Sequence, residues 1–319
     1  MRFLYVMDPM ERVLPDKDTT FAFQRAAQRR GHVALHCDAR DLFIRDSLVG
    51  ARCRGLGLLE GAPHFAFKAP ADILLRDVDA VFIRKDPPFN PGYLHATLML
   101  EHARDQTFIF NDPKGLRTAN EKLYTLQFSQ HMPRTIVSSH KDQILDFVSA
   151  SGGAAVIKPL DGAGGSGVLK LSTGDKNARA IIDIITAEGA QQAMVQEYLP
   201  AVVKGDKRIL LLDGEIIGAI NRVARADDLR SNIHVGGSVE PCDVTEKERE
   251  MVRSMAPRLR ADGLMFVGLD MIDGRLTEIN VTSPTGIQEL SQHVGRDVAD
   301  DVISWVERHC IKTATQPRS

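Results

Sequence analysis

Apolar runs long enough for a single strand alternate with amphipathic stretches along residues 1–121. The pattern predicts one helix from about Thr20 to Arg30, with Thr19 or Thr20 as its cap, and a second over 93–104. Buried strands are predicted at 2–7, 32–37, 77–84 and 107–110. The stretch 48–54 (LVGARCR) is interpreted as part of a hairpin. Strands that alternate with helices are typical of a mostly parallel sheet.

The middle of the chain predicts a second set of elements around a glycine-rich loop. A helical period begins at Leu116 and includes Lys122, whereas the glycines cluster between 162 and 167. Strands are predicted at 134–138, 154–158, 168–171 and 192–198, and helices at 141–150 and 176–188. The loop is therefore expected to join two strands.

Long strands followed by helices are predicted for the last part of the chain. The stretch 224–240 is polar and lacks a clear period, which at this length is typical of a functional lid. The tail 312–319 is expected to be disordered. Strands are predicted at 206–213, 215–223 and 264–270, and helices at 245–262, 286–293 and 297–310.

Composition narrows the class of protein. A chain of 319 residues is long enough for two or three packed units, and 40 basic against 42 acidic residues leave no field that favours nucleic acid or an anionic membrane. No apolar run approaches the about 20 residues of a membrane span, and the N-terminus lacks a signal-peptide layout, so a cytoplasmic protein is expected. The four cysteines show no metal-ligand spacing and are expected to be free thiols.

A candidate metal site lies in the stretch 268–286 (GLDMIDGRLTEINVTSPTG). Glu278 and Asn280 are two apart in a strand-like run and share one face, and Asp270 precedes them on the other arm of a hairpin. A two-residue turn at Asp273-Gly274 would send Asp270 and Glu278 to opposite faces. We therefore predict a three-residue loop, Ile272-Asp273-Gly274, with Gly274 left-handed in a bulge. Oxygen ligands of this kind suit Mg²⁺ beside a nucleotide.

The glycine loop follows Lys158 in the stretch KPLDGAGGSG, residues 158–167. It matches the dinucleotide pattern G-x-G-x-x-G, but a dinucleotide site requires a helix after the loop, where a strand is predicted. A loop that covers phosphates with backbone N–H groups fits better, although a flexible hairpin tip is the alternative. Walker and protein-kinase motifs are absent from the sequence, so another nucleotide-binding fold is needed.

These motifs together resemble a known family. RKDPPF at 84–89, NEKL at 120–123, GDKR at 205–208 and FVGLD at 266–270, with the two stretches above, closely resemble the bacterial glutathione synthetases, a family of ATP-grasp ligases. The likeness spans nearly the whole chain.

The resemblance implies an α/β ATP-grasp fold in three parts. These are an N-terminal parallel-sheet domain over 1–121, a central lid domain over 122–200, and a C-terminal antiparallel-sheet domain over 201–311. It also implies that γ-glutamylcysteine, glycine and ATP react through an acylphosphate to give glutathione, ADP and phosphate. A homotetramer is implied as well. Another ATP-grasp ligase, glutamate-adding or D-alanine-joining, and a non-catalytic ATP-binding protein are the alternatives.

The resemblance further implies a role for individual residues. Lys158, Arg208 and Arg222 would be catalytic, and Asp270, Glu278 and Asn280 would hold two Mg²⁺, with Mn²⁺ as an alternative. ATP contacts are implied for Lys122, Lys158, Gly162, Gly164, Gly165, Ser166, Gly167, Glu197, Tyr198, Leu199, Asp206 and Asn280. Substrate contacts are implied for Arg84, Arg208, Arg222, Ser283, Arg230, Gly236 and Gly237.

Overall fold

Sixteen strands and eight α-helices form three sheets with helices packed around them, in a computed structural model that describes residues 1–224 and 237–315, the last five as backbone only. The helices are α1 (Thr19–Arg29), α2 (Pro91–Glu101), α3 (Pro113–Thr118), α4 (Lys141–Ala150), α5 (Ala178–Ile185), α6 (Glu246–Ala261), α7 (Ile287–Val294) and α8 (Val298–Thr315). The strands are β1 (Arg2–Met7), β2 (Val33–Cys37), β3 (Leu42–Arg45), β4 (Leu48–Leu58), β5 (Phe65–Leu74), β6 (Ala80–Arg84), β7 (Phe108–Phe110), β8 (Thr135–Ser138), β9 (Ala154–Pro159), β10 (Leu169–Ser172), β11 (Ala193–Glu197), β12 (Asp206–Leu212), β13 (Glu215–Val223), β14 (Ser238–Pro241), β15 (Phe266–Ile272) and β16 (Arg275–Asn280).

The N-terminal sheet has seven strands and is parallel only in part. Strand β1 pairs in parallel with β2 and β6, and β6 pairs in parallel with β7. Strands β3, β4 and β5 add an antiparallel extension on β2. Asp46 and Ser47, both with positive φ, form the turn that pairs Arg45 with Leu48. The hairpin predicted for 48–54 is therefore confirmed, and the parallel core carries an antiparallel edge.

The central sheet is antiparallel, in the order β10-β9-β11-β8, and packs on α4 and α5. The helix predicted to run on from Leu116 through Lys122 is wrong, because α3 ends at Thr118 and a 3₁₀ segment begins at Leu123. Asn120 interrupts it, since its Oδ1 accepts from the backbone N–H groups of Lys122 and Leu123. A side chain that bonds to nearby backbone in this way competes with the helix.

The C-terminal sheet is antiparallel in the order β14-β13-β12-β15-β16. The predicted three-residue loop between β15 and β16 is wrong, because Ile272 pairs with Arg275 across a two-residue turn whose Asp273 and Gly274 both have positive φ. The register then shifts after Met271, so that Thr277 is the extra residue of a bulge. This bulge places Asp270 opposite Glu278, as the metal-site prediction requires, by a different route.

Two helix boundaries also differ from the predictions. Asp18, rather than Thr19 or Thr20, caps α1, because its carboxylate accepts from the Phe21 N–H at 2.6 Å. Helix α8 continues to Thr315, so residues 312–315 are not part of a disordered tail, and 316–319 lie outside the described residues. Among the described residues, no helix is both long and apolar enough to cross a membrane.

Asn111, at the end of β7, joins the N-terminal sheet to the C-terminal one. Its Oδ1 accepts from the N–H groups of Met265 and Phe266, and its Nδ2 donates to the carbonyls of Phe266 and Val281, all within 3.0 Å. A core of apolar side chains extends across the same boundary. These contacts therefore fix the strand ends of the two sheets relative to each other.

Candidate active site

A row of charged side chains crosses one face of the C-terminal sheet. Arg208 on β12 pairs in register with Asp270 on β15, and Asp270 pairs with Glu278 on β16. Asp206 on β12 pairs with Arg222 on β13. Residues directly opposite each other in antiparallel strands have side chains on the same face. The register of the sheet thus brings acids and bases from four strands together.

Asp270 lies at the centre of this row and binds two arginines. Arg208 donates to both its oxygens at 2.8 Å, and Arg222 Nη2 lies 3.0 Å from its Oδ2. Arg222 also donates to the Asp206 carboxylate at 2.6 Å. Burial alone would raise the pKa of the Asp270 carboxyl, but the two arginines outweigh it and hold that pKa below its usual range. Asp270 is therefore ionised at neutral pH.

Two lysines approach the same face from the central part of the chain. Lys122, which is 4% exposed, lies 3.0 Å from the Glu278 carboxylate and donates to the Gly162 carbonyl. Lys158, at the end of β9, donates to Gln196 Oε1 at 2.7 Å. Burial lowers the pKa of Lys158, and the Glu278 charge partly restores it. Both ammonium groups are thus held beside the row of charged side chains.

The glycine loop borders these lysines. Gly164, Gly165 and Gly167 have positive φ, a region that residues with a Cβ rarely adopt. A Cβ on Gly162 would lie 2.6 Å from Pro159 Cγ, and one on Gly167 would lie 2.9 Å from the same atom. Glycine is therefore required at several positions for the loop to fold back on β9.

A cavity lies between the glycine loop and the charged row. It brings together most of the predicted nucleotide and metal residues, and Gly167 is not among the residues that line it. Lys170 stacks over the Tyr198 ring at 4.1 Å on its wall. The site residues predicted from the sequence that line this cavity are Lys122, Lys158, Gly162, Gly164, Gly165, Ser166, Glu197, Tyr198, Leu199, Asp206, Arg208, Arg222, Asp270, Glu278 and Asn280.

A second cavity adjoins the first and includes the predicted substrate residues Arg84 and Ser283. Arg84 is 4% exposed and donates to Thr20 Oγ1 at 3.0 Å and to the Pro284 carbonyl at 3.1 Å. Among the described residues, no carboxylate lies within ion-pair distance of it. Burial lowers the pKa of the Arg84 guanidinium, and Asp18 and Asp86 counteract this. The residues common to both cavities are Gly164, Arg208, Glu278 and Asn280.

Of the three predicted lid residues, only Gly237 is described, and it lines neither cavity. Arg230 and Gly236 lie outside the described residues, and Gly237 immediately precedes β14. Their roles, like those of the other site residues, stay a prediction.

Several residues of the two cavities were missed from the sequence. Gln196 and Lys170 line the first, and Glu121 and Thr285 line the second. Gln196 carries a weak signal, because it is the second-last residue of β11 and precedes the predicted nucleotide residues Glu197 and Tyr198. Glu121 is the neighbour of Lys122 in the NEKL motif, and its position depends on a break between helices that the period did not reveal.

Comparisons with known proteins agree over nearly the full chain. The family model described as prokaryotic glutathione synthetase, N-terminal domain, matches residues 1–117, and the one described as prokaryotic glutathione synthetase, ATP-grasp domain, matches 121–295. A glutathione synthetase of Gloeobacter violaceus is 44% identical over 313 residues and is covered to 96%, as is this chain. A glutathione synthetase of Nostoc sp. is 42% identical, with 97% of this chain and 98% of that one covered.

Solved structures agree in fold. The crystal structure of the D-cycloserine synthetase DcsG superposes with a TM-score of 0.66 at 17% identity, covering 96% of this chain and 100% of that one. The ATP-grasp ligase PsnB, complexed with a minimal precursor, superposes with a TM-score of 0.62 at 17% identity, covering 96% and 98%. At this identity the likeness shows the fold alone.

Proposed function

The chain belongs to the prokaryotic glutathione synthetase family of ATP-dependent ligases, and on that premise we propose that its two adjoining cavities join γ-glutamylcysteine to glycine. In the proposed reaction the cysteinyl carboxylate attacks the γ-phosphate of ATP and forms an acylphosphate with release of ADP. The glycine nitrogen, once it has lost its ammonium proton to solvent, attacks the acyl carbon, the bond between the acyl carbon and the phosphate oxygen breaks, and the leaving phosphate takes the second proton. The register that joins Arg208, Asp270 and Glu278 beneath the glycine loop is the observation that carries this proposal.

The first cavity would hold ATP. Lys122 and Lys158 would contact phosphates as point charges, and the N–H groups from Gly164 to Gly167 would cover them. Backbone groups of Glu197 and Leu199 would contact adenine, and Asp206 the ribose. The Tyr198 ring beside Lys170 adds a flat, cationic wall to this end of the cavity.

The oxygen donors of the hairpin fit a hard divalent cation. Asp270 and Glu278 are ionised or ion-paired, their strands are in register, and Asn280 adds a neutral carbonyl on the same face. We propose that these three residues hold two Mg²⁺, or Mn²⁺ in their place. The cations would supply charge neutralisation for the triphosphate.

Arginines would stabilise the charge that develops on the reacting groups. Arg208 lies in both cavities and its Nη1 donates to Thr285 Oγ1 at 3.0 Å, so its guanidinium is fixed in direction. Preorganised donors of this kind act where charge forms in the transition state. Arg222 would support the same oxygens. Arg84 and Ser283 would bind the dipeptide in the second cavity, where a substrate carboxylate would pair with the buried guanidinium.

The deciding experiment is an ADP-release assay with γ-glutamylcysteine and glycine supplied separately and together. We expect sustained turnover only when both are present, together with mass-spectrometric detection of glutathione. Turnover with a different carboxylate and amine, and none with this pair, would replace the proposed substrates with those of another ATP-grasp ligase. Binding of ATP without turnover on any pair would make the chain a nucleotide-binding protein.

The assembly and the compartment complete the proposal. We propose a homotetramer, as the family resemblance implies, which size-exclusion chromatography with light scattering would test. A cytoplasmic location suits an ATP-consuming enzyme, and cell fractionation would test it.

A further inference from the structure

Glu121 in the second cavity has a charge that the proposed ATP and metal contacts do not use. It follows Asn120 at the break between α3 and the 3₁₀ segment, and it lies against the end of β16. Its backbone carbonyl accepts from the Ile279 N–H at 3.0 Å. Glu121 is therefore held beside Glu278 and Asn280, where the reacting groups must meet.

One carboxylate oxygen of Glu121 is committed to the protein. Oε1 accepts from the Thr282 hydroxyl at 2.8 Å, from the Thr282 N–H at 3.3 Å and from the Val281 N–H at 3.2 Å. The other oxygen, Oε2, has no hydrogen-bond partner among the described residues. The side chain is partly buried, and what it exposes lines the second cavity.

Among the described residues, no cation forms an ion pair with Glu121. Lys122 is the nearest in sequence, but its ammonium is bound to Glu278 and to the Gly162 carbonyl. The three bonds to Oε1 do not explain the charge, because the amide oxygen of a glutamine would accept them equally well.

We propose that Oε2 of Glu121 binds the ammonium group of the amine substrate, which is glycine in the proposed reaction on which this inference rests. A carboxylate with one oxygen fixed by backbone and hydroxyl donors presents the other in a set direction. An ammonium held there lies beside the carboxylate row, near the carboxyl group that is activated. Glu121 would thereby select an amine and orient it.

The ammonium of the γ-glutamyl group is the less suitable occupant. It is separated from the cysteinyl carboxylate by the whole γ-glutamyl chain, whereas Glu121 is next to the activation site. The N-terminal wall of the cavity offers Arg84, with Asp18 and Asp86 near enough to affect its pKa. That combination of charges suits a distant amino-acid head group.

The test is Glu121→Gln, with Michaelis constants measured for glycine, γ-glutamylcysteine and ATP, and with the melting temperature. We expect the KM for glycine to rise by about tenfold or more, because the amide –NH2 that replaces Oε2 is a donor and cannot accept from an ammonium, so a charge-assisted hydrogen bond is lost. The other two constants should stay within about twofold, and the melting temperature should not fall, since the bonds to Oε1 persist. Glu101→Gln, which loses an ion pair with Arg117 away from both cavities, is the matched control and should leave all three constants unchanged.

Each other outcome is decisive. An increase confined to γ-glutamylcysteine would assign Glu121 to the dipeptide and overturn the proposal. Unchanged constants, with or without a lower melting temperature, would leave Glu121 a structural residue. If the wild-type enzyme uses another amine, the proposed function has failed, and the same comparison with that amine still tests the ammonium site.

Discussion

Successive residues of β12 have different partners because a strand alternates its side chains between two faces. Asp206 and Arg208 face the cavity, whereas Lys207 between them donates to both oxygens of Glu248 at 2.9 Å on the opposite face. The GDKR motif therefore combines two residues of the site with one that anchors α6. Period-two alternation alone predicts this division, so it could be read from the sequence.

Glu278→Gln tests the proposed role of the Glu278 carboxylate by replacing one of its oxygens with an –NH2 group. We expect the rate of ADP release with both substrates to fall at least about 100-fold, because a carboxylate that would hold the divalent cation beside the reacting phosphate becomes a neutral amide. Circular dichroism should show an intact fold, since the amide can still accept from Lys122.

The matched control for that variant is Glu215→Gln, an exposed carboxylate at the start of β13 that pairs with Arg260. Its rate should equal that of the wild type. A near-normal rate in the Glu278 variant would remove this side chain from the mechanism.

At the level of elements, the hairpin of β15 and β16 shows where the sequence stops being informative. The residue types at Asp270, Glu278 and Asn280 predicted a shared face, and the register of the sheet agrees. The loop length could not be predicted from the sequence, because two arrangements place the three side chains on one face: a three-residue loop, or a two-residue turn followed by a bulge. The choice depends on packing of the bulge at Thr277, whose hydroxyl donates to the Asp270 carbonyl at 3.1 Å.

Gly274→Ala tests the tight turn. Gly274 has a φ of +70° and nothing within 4 Å of an added Cβ, so strain comes from the backbone alone. We expect the free energy of unfolding to fall by about 1 kcal/mol, measured by urea denaturation, with little change in turnover. Gly57→Ala, in a strand, should cost less, because the φ of Gly57 is not positive and an added Cβ would lie 4.0 Å from the Ala66 carbonyl oxygen, an ordinary contact. Equal losses in both variants would contradict the turn.

At the scale of the whole molecule, α8 packs against the segment that follows α1, and an ion pair between them makes the free energy of unfolding depend on pH. Glu307 on α8 lies 2.6 Å from the Arg30 guanidinium after α1, and it also contacts His32. The hydrogen bond from Arg30, together with His32, lowers the pKa of Glu307 from 4.5 to about 2. Since the folded value lies below the unfolded one, this stabilisation is present above pH 4.5 and is lost as the pH falls toward 2.

Glu307→Gln should therefore reduce the free energy of unfolding by about 1 kcal/mol at pH 7, and the difference from wild type should shrink as the solution is acidified below pH 4.5. Urea denaturation across that range measures it. Asp301 is on the same helix, and Asp301→Asn, which removes a more exposed pair with Arg296 just before that helix, should have a smaller effect. A difference that grows on acidification would refute the assignment.

The second cavity could not be predicted at this scale. It forms where the loop after β1, the end of β6 and the end of β16 converge, and Asn111 fixes that convergence through contacts far apart in the chain. Local period and motif spacing describe each segment separately. Arg84 was found because a double proline follows it, whereas Glu121 had no local signal of its own.

The pairing of Asp270 with Arg208 and Arg222 has a consequence for how the site fills. A phosphate that bound the arginines would leave the Asp270 carboxylate without a counterion. A divalent cation that bound this carboxylate would leave the arginines without one. Either ligand alone would therefore leave a buried charge unpaired, because Asp270, Arg208 and Arg222 are all buried. We therefore expect cation and nucleotide to bind together, each removing the energetic penalty that the other creates.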